Sequence, residues 1–327
     1  MTHFYHDCLP PLLEALCHTP AMERLKDVGM HCGCEYTAFP RFLALGPYSR
    51  YTHSLGVGLI TWHFTEDPAQ AAAALLHDVA TPTFAHTVDF LRGDYLTQEA
   101  TEAGTRELIA GDAALCRILD RYGLTVEQVC DYHQYPIADN DSPRLSADRL
   151  EYTLGNLENF GFADRTFAER LYRDIVVGEN EEDQPELVFR HGQAALDFAL
   201  GALRCARVYV CPEDRYSMQR LSEVLALGLQ LGVIGEPDLY GTEPPLIRKL
   251  LSHPDTARAW EAYRALSRME QAAAGDPAEG WRVVPAKKRC IDPLIKGQGR
   301  VTAVYPAYWE ALDAFLGEPQ TAALRGS

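Results

Sequence analysis

The stretch DPAQAAAALLHD, residues 67–78, constrains the fold more than any other part of the chain. Asp67 is a good N-cap and Pro68 suits the first helical position. The helix they start runs through Ala71 to Leu76 and ends near Val79. Thr81-Pro82 repeats the start signal for a second helix, which Gly93 can terminate. His77 and Asp78 therefore sit at a helix end, beside a sharp chain reversal. Neighbours inside a helix point roughly 100° apart. At a helix end that splay is less of an obstacle, and both side chains can approach one ion.

Two further helices carry matching chemistry. From about Arg50 to Phe64, His53, Val57, Ile60 and Phe64 fall on one stripe. Ser142-Pro143 opens a helix bearing Asp148, with Tyr152 one turn on along the same face and Arg149 adjacent. Taken singly, His53 reads as an ordinary half-buried histidine and Asp148 as a solvated residue. The His77-Asp78 pair resists such a reading, because an aspartate at the negative end of a helix is unfavourable without a cation. Two imidazoles and two carboxylates form a mixed N/O set suited to a borderline or hard divalent cation.

The order H…HD…D resembles the HD-domain metal-dependent phosphohydrolase superfamily. RYTHSLGV surrounds the first histidine, LLHDVATPTFAH the pair and SADRLEY the closing aspartate. The nearer branch is the deoxynucleoside triphosphate triphosphohydrolases and their relatives, and the likeness covers about residues 19–160. It implies His53, His77, Asp78 and Asp148 as ligands of a divalent ion (Mn, Fe, Ni, Zn or Mg). It implies His86 and Asp89 as acid/base or supporting groups. Arg50, Arg149 and Tyr152 become candidates for phosphate or sugar contact, arginine because its planar fork suits phosphate. That branch typically reads HD-x-G-H-G-P-F-[SA]-H; here Thr81 replaces the first extra histidine and His86 keeps the second. Gln98 stands where a further family histidine falls. The resemblance thus carries metal binding further than triphosphohydrolase activity.

The implied function is hydrolysis of a phosphate ester or anhydride, with a nucleotide as substrate. A nucleotide-binding regulatory module without turnover, and a hydrolase of a non-nucleotide phosphoester, stay open as alternatives. The formal net charge of −16 argues against duplex nucleic acid and anionic membranes as partners. A small phosphorylated molecule remains compatible, since a metal and a few arginines make a local positive pocket. Lys287-Lys288-Arg289 reads as a solvated edge, with an anionic effector or a neighbouring subunit of a homo-oligomer as alternative users.

The expected fold is all-α. A helical HD core spans 1–177 and a helical C-terminal lobe spans 178–327, divided at the acidic stretch GENEEDQPE. AAAGDPAEG, 272–280, reads as a flexible loop, and a short β-hairpin is expected around Gly297-Gln298-Gly299. Nine scattered cysteines and an N-terminus with neither basic head nor apolar core suggest reduced thiols in a cytoplasm. His31-Cys32-Gly33-Cys34 reads as a turn, because structural zinc wants paired C-x₂₋₄-C spacings.

Overall fold

A computed structural model describes residues 4–94, 96, 104–272 and 280–327. Gln98 and all but the ends of the 272–280 loop lie outside the described residues. Among those described, sixteen α-helices account for 56% of the protein and strands for 8%. The chain is therefore largely helical, with more sheet than one hairpin.

The helix Pro68–Leu76 lies at the centre. The Asp67 carboxylate accepts from the Ala69 and Gln70 amides, and Pro68 occupies the first turn. Ala71 to Leu76 are fully buried, as a helix apolar all round requires. The helix Arg50–Thr65, capped by Ser49, packs closely against it. Gly58 permits that approach: a Cβ there would stand 3.0 Å from Leu75 Cβ and 3.4 Å from the Ala71 carbonyl oxygen. The helix Ala147–Asn159 packs on Arg50–Thr65 from another side. The three helices that carry the candidate ligands thus share one core.

Two helix starts differ from expectation, each for a visible reason. The helix expected from Thr81-Pro82 begins at Thr87 and ends at Arg92, where Gly93 closes it with φ 75°. Thr83 is held by the Leu239 carbonyl through both its N–H and its hydroxyl. Phe84 and Ala85 take left-handed φ values of 60° and 43°, so 81–86 is a turn fixed by tertiary contacts. The Asp148 helix begins at Ala147, because Ser146 rather than Ser142 accepts the capping bond, from the Arg149 amide.

Gly192–Tyr209 and Pro212–Gln230 are the two longest helices. The first packs on Ala147–Asn159 and the second on Thr87–Arg92 and Pro254–Arg264. The acidic stretch is the turn and flanks of a hairpin, Ile175–Glu179 against Pro185–Phe189. Asn180 Oδ1 accepts from the Glu182 and Gln184 amides and shapes that turn. Pro185–Phe189 also pairs in parallel with Leu294–Ile295, which forms the hairpin with Gly299–Arg300. A second sheet sets Ala323–Gly326 between Met269–Ala272 and Arg282–Val283. Two hydrophobic clusters fill the interior, and each takes residues from both sides of the acidic stretch. Among the described residues all nine cysteines are unpaired, and no helix is long and apolar enough to cross a membrane.

Candidate metal centre

His53 lies in the first turn of Arg50–Thr65, His77 caps the end of Pro68–Leu76, and Asp148 lies in the first turn of Ala147–Asn159. One ligand atom from each falls within 4.8 Å of the others. His53 Nε2 is 3.0 Å from Asp148 Oδ1, and His77 Nε2 is 3.9 Å from the same oxygen. Each ring's other nitrogen is engaged behind the cluster. His53 Nδ1 meets Glu151 Oε2 at 2.5 Å, and His77 Nδ1 meets the Ala74 carbonyl at 2.8 Å. Both acceptors favour Nδ1–H, which turns the Nε2 lone pairs inward, the arrangement of metal-ligating histidines. Tyr132 stacks on the His77 ring at 4.8 Å and further fixes it.

Without an ion, the carboxylates around His53 hold a proton on its ring. Burial alone would lower the His53 pKa, but the Asp148 and Glu151 carboxylates outweigh it and raise it to about 10. Asp148 is lowered to about 2: burial opposes the shift, and the His53 bond and the nearby imidazoles overcome it. With a cation in place of that proton, two imidazoles and a carboxylate, so oriented and closely spaced, fit a borderline divalent ion.

The fourth expected ligand, Asp78, stands at the rim of this cluster. Its Oδ2 is 3.4 Å from His77 Nε2 and 4.0 Å from His53 Nε2. The same carboxylate accepts from Arg50 Nη1 at 3.1 Å and from the Thr81 hydroxyl at 2.6 Å. Arg50, expected to reach substrate, lines the same cavity and is held there by the Asp78 carboxylate. Arg149 donates to Asp139, Asn140 and Ser146, bracing the turn before its own helix. Tyr152 lines the cavity next to the cluster. His86 lines it too, with Nδ1 on Asp89 Oδ2 at 2.8 Å and Asp89 fully buried. The cavity measures about 730 Å³ and also takes in Lys287, Lys288 and Arg289.

Glu151 was not apparent from sequence. It is 2% exposed and also accepts from the Tyr48 hydroxyl at 2.7 Å. Gly56 leaves it room, since a Cβ there would lie 2.5 Å from Glu151 Cγ. Its one local signal is its position three residues beyond Asp148, on a similar helix face.

No family model matches the chain. It is 25% identical over 248 residues to the uncharacterized protein YdhJ of Bacillus subtilis, covering 73% of this chain and 70% of that one. It is 23% identical over 306 residues to a protein of Cordyceps militaris named metal-dependent phosphohydrolase cns2, covering 88% and 81%. The chain is thus distantly similar to a protein named as a metal-dependent phosphohydrolase, and it has a His/His/Asp cluster able to hold a divalent metal.

Proposed function

We propose that this chain is a metal-dependent phosphohydrolase of the HD superfamily and that its substrate is a nucleotide. The observation that carries the reading is the His53–His77–Asp148 cluster opening into a cavity of about 730 Å³ bordered by cationic side chains. The likeness to a protein named metal-dependent phosphohydrolase supports it. His53, His77 and Asp148 would hold the ion, with Asp78 completing the set. When bound, a divalent ion there supplies Lewis-acid polarisation of a phosphoryl oxygen and lowers the pKa of water.

The chain's own residues do the rest. Glu151 and the Ala74 carbonyl orient the two imidazoles. Arg50 and Thr81 hold the Asp78 carboxylate and keep it well below the usual carboxylate range, against the effect of burial. Asp89 fixes His86 with Nδ1 as donor, so Nε2 is the atom able to take up and release a proton in the cavity. Arg149 holds the 139–146 turn that leads into the Asp148 helix. Thr81 favours a second reading, a binding module without turnover: the residue in place of a family histidine spends its hydroxyl on Asp78.

The test is to load the protein separately with Mn²⁺, Fe²⁺, Ni²⁺, Zn²⁺ and Mg²⁺. Each form is then assayed for phosphate release from nucleoside mono-, di- and triphosphates and from sugar and aryl phosphates. Hydrolysis of a nucleotide is expected with at least one metal. Nucleotide binding without phosphate release would select the regulatory module, and turnover of non-nucleotide esters alone would move the substrate class. No release from any ester would contradict the enzymatic reading.

A further inference from the structure

Arg24 ends the helix Pro20–Arg24 and reaches across to the turn that follows the His77-Asp78 pair. Its Nη2 donates to the Val79 carbonyl at 2.8 Å and to the Thr81 carbonyl at 2.7 Å, and its Nη1 donates to the Gly241 carbonyl at 2.9 Å. One guanidinium thus ties together three segments that are far apart in sequence. The turn is closed from within by the Thr81 amide, which donates to the Asp78 carbonyl at 2.9 Å. The Thr81 hydroxyl then donates to Asp78 Oδ1 at 2.6 Å. The other oxygen, Oδ2, faces the imidazoles, 3.4 Å from His77 Nε2 and 4.0 Å from His53 Nε2.

We infer that Arg24 is a positioning residue for the metal centre: it fixes the 79–81 turn and, through the Thr81 hydroxyl, sets the Asp78 carboxylate toward the ion. The inference rests on the metal-dependent reading above, with Asp78 in the ligand set. It adds a residue that is not among the described residues lining the cavity, so its route to the ion runs through Asp78.

Carbonyls just beyond a helix end lack partners within the helix, and a buried one left unpaired is costly. Val79, Ala80 and Thr81 are all buried, so the guanidinium takes the place that water would fill at an exposed helix end. Because one nitrogen bridges both carbonyls, the two ends of the turn are held against a single atom. The Asp78 charge reaches this arginine: burial lowers the Arg24 pKa, and the carboxylate opposes that shift. On its far side the frame rests on the segment that also holds Thr83, through the Gly241 and Leu239 carbonyls. The two oxygens of Asp78 are therefore fixed from two directions. Arg50 Nη1 holds Oδ2 at 3.1 Å, and Thr81, on the turn that Arg24 anchors, holds Oδ1. Loss of either hold frees the carboxylate to rotate away from the imidazoles.

The experiment uses the full chain with Co²⁺ as the probe, because its visible absorption reports the ligands around it. Affinity is measured by competition against a chelator for the wild type, Arg24→Met, Arg24→Lys, Asp78→Ala and the double variant Arg24→Met/Asp78→Ala, with circular dichroism as the control for folding. Arg24→Met is expected to weaken Co²⁺ binding roughly 10-fold, as for loss of a group that orients a metal ligand. Arg24→Lys should lose less, since an ammonium still donates to carbonyls but lacks the fork that reaches all three. In the Asp78→Ala background Arg24→Met should cause no further loss, because groups that act through one another are not additive. The Co²⁺ spectrum of Arg24→Met should move toward that of Asp78→Ala. If Arg24→Met does not fold, the same cycle is run with Arg24→Lys, whose smaller loss must also vanish without Asp78. Wild-type affinity in every Arg24 variant that folds, or an equal loss with and without Asp78, would overturn the inference. Wild-type affinity in Asp78→Ala would overturn it too, by removing Asp78 from the ligand set. Absence of any Co²⁺ binding by the wild type would instead count against the metal centre itself.

Discussion

Replacing Glu151 with glutamine is expected to weaken divalent-metal binding by roughly 10- to 100-fold, the usual cost of losing the partner that orients a metal-ligating histidine. Glu151 Oε2 accepts from His53 Nδ1 at 2.5 Å and from the Tyr48 hydroxyl at 2.7 Å. Glutamine keeps the shape but removes the charge, and its amide can turn a donor toward Nδ1. In that arrangement the ring keeps its proton on Nε2, facing the site. Competition titration against a chelator reads the effect, with thermal melting of the metal-free form as the control for folding. Unchanged affinity would mean that the buried carboxylate plays no part in orienting His53.

Arg300→Ala is the substitution expected to cost most stability. Arg300 Nη1 and Nη2 donate to the two oxygens of Glu186 at 2.6 and 2.8 Å, and Nε and Nη2 donate to Glu181. Glu186 is fully buried, and its Oε1 also accepts from the Leu145 amide just before the Asp148 helix. Removing the arginine leaves a buried carboxylate uncompensated, which costs about 3–5 kcal/mol. Replacing both Arg300 and Glu186 with methionine should recover much of that loss, because apolar side chains of similar volume can substitute for a buried pair. Denaturant midpoints of the single and double variants decide this. A single variant as stable as the wild type would show that Glu186 is solvated or neutral.

What the sequence made legible was local. Asp67-Pro68, Gly93 and the stripe through His53, Val57 and Ile60 each act within one helix, and the structure places the corresponding elements close to expectation. Signals that competed with tertiary contacts misled: Thr81-Pro82 yields to the Leu239 carbonyl that holds Thr83. The acidic stretch reads as a loop and a boundary because its turn residues dominate its composition. Its strands become visible only with their partners and with Arg300. Three of the four candidate ligands converge, although their spacing in sequence contains no distance. Glu151 was hidden for the same reason: a helix glutamate has a solvated reading until the facing side chain is known. Arg50 and Arg149, the arginines the sequence suggests for substrate contact, both line the cavity, and each is also engaged by a carboxylate of the protein.

The central claim is that His53, His77 and Asp148 hold one divalent ion. Elemental analysis of purified wild type beside Asp148→Ala tests it most directly. The account predicts close to one divalent metal per wild-type chain and a largely metal-free variant, since two imidazoles without that carboxylate make a poor cage for such an ion. Undiminished metal in Asp148→Ala would place the ligands elsewhere and contradict the account.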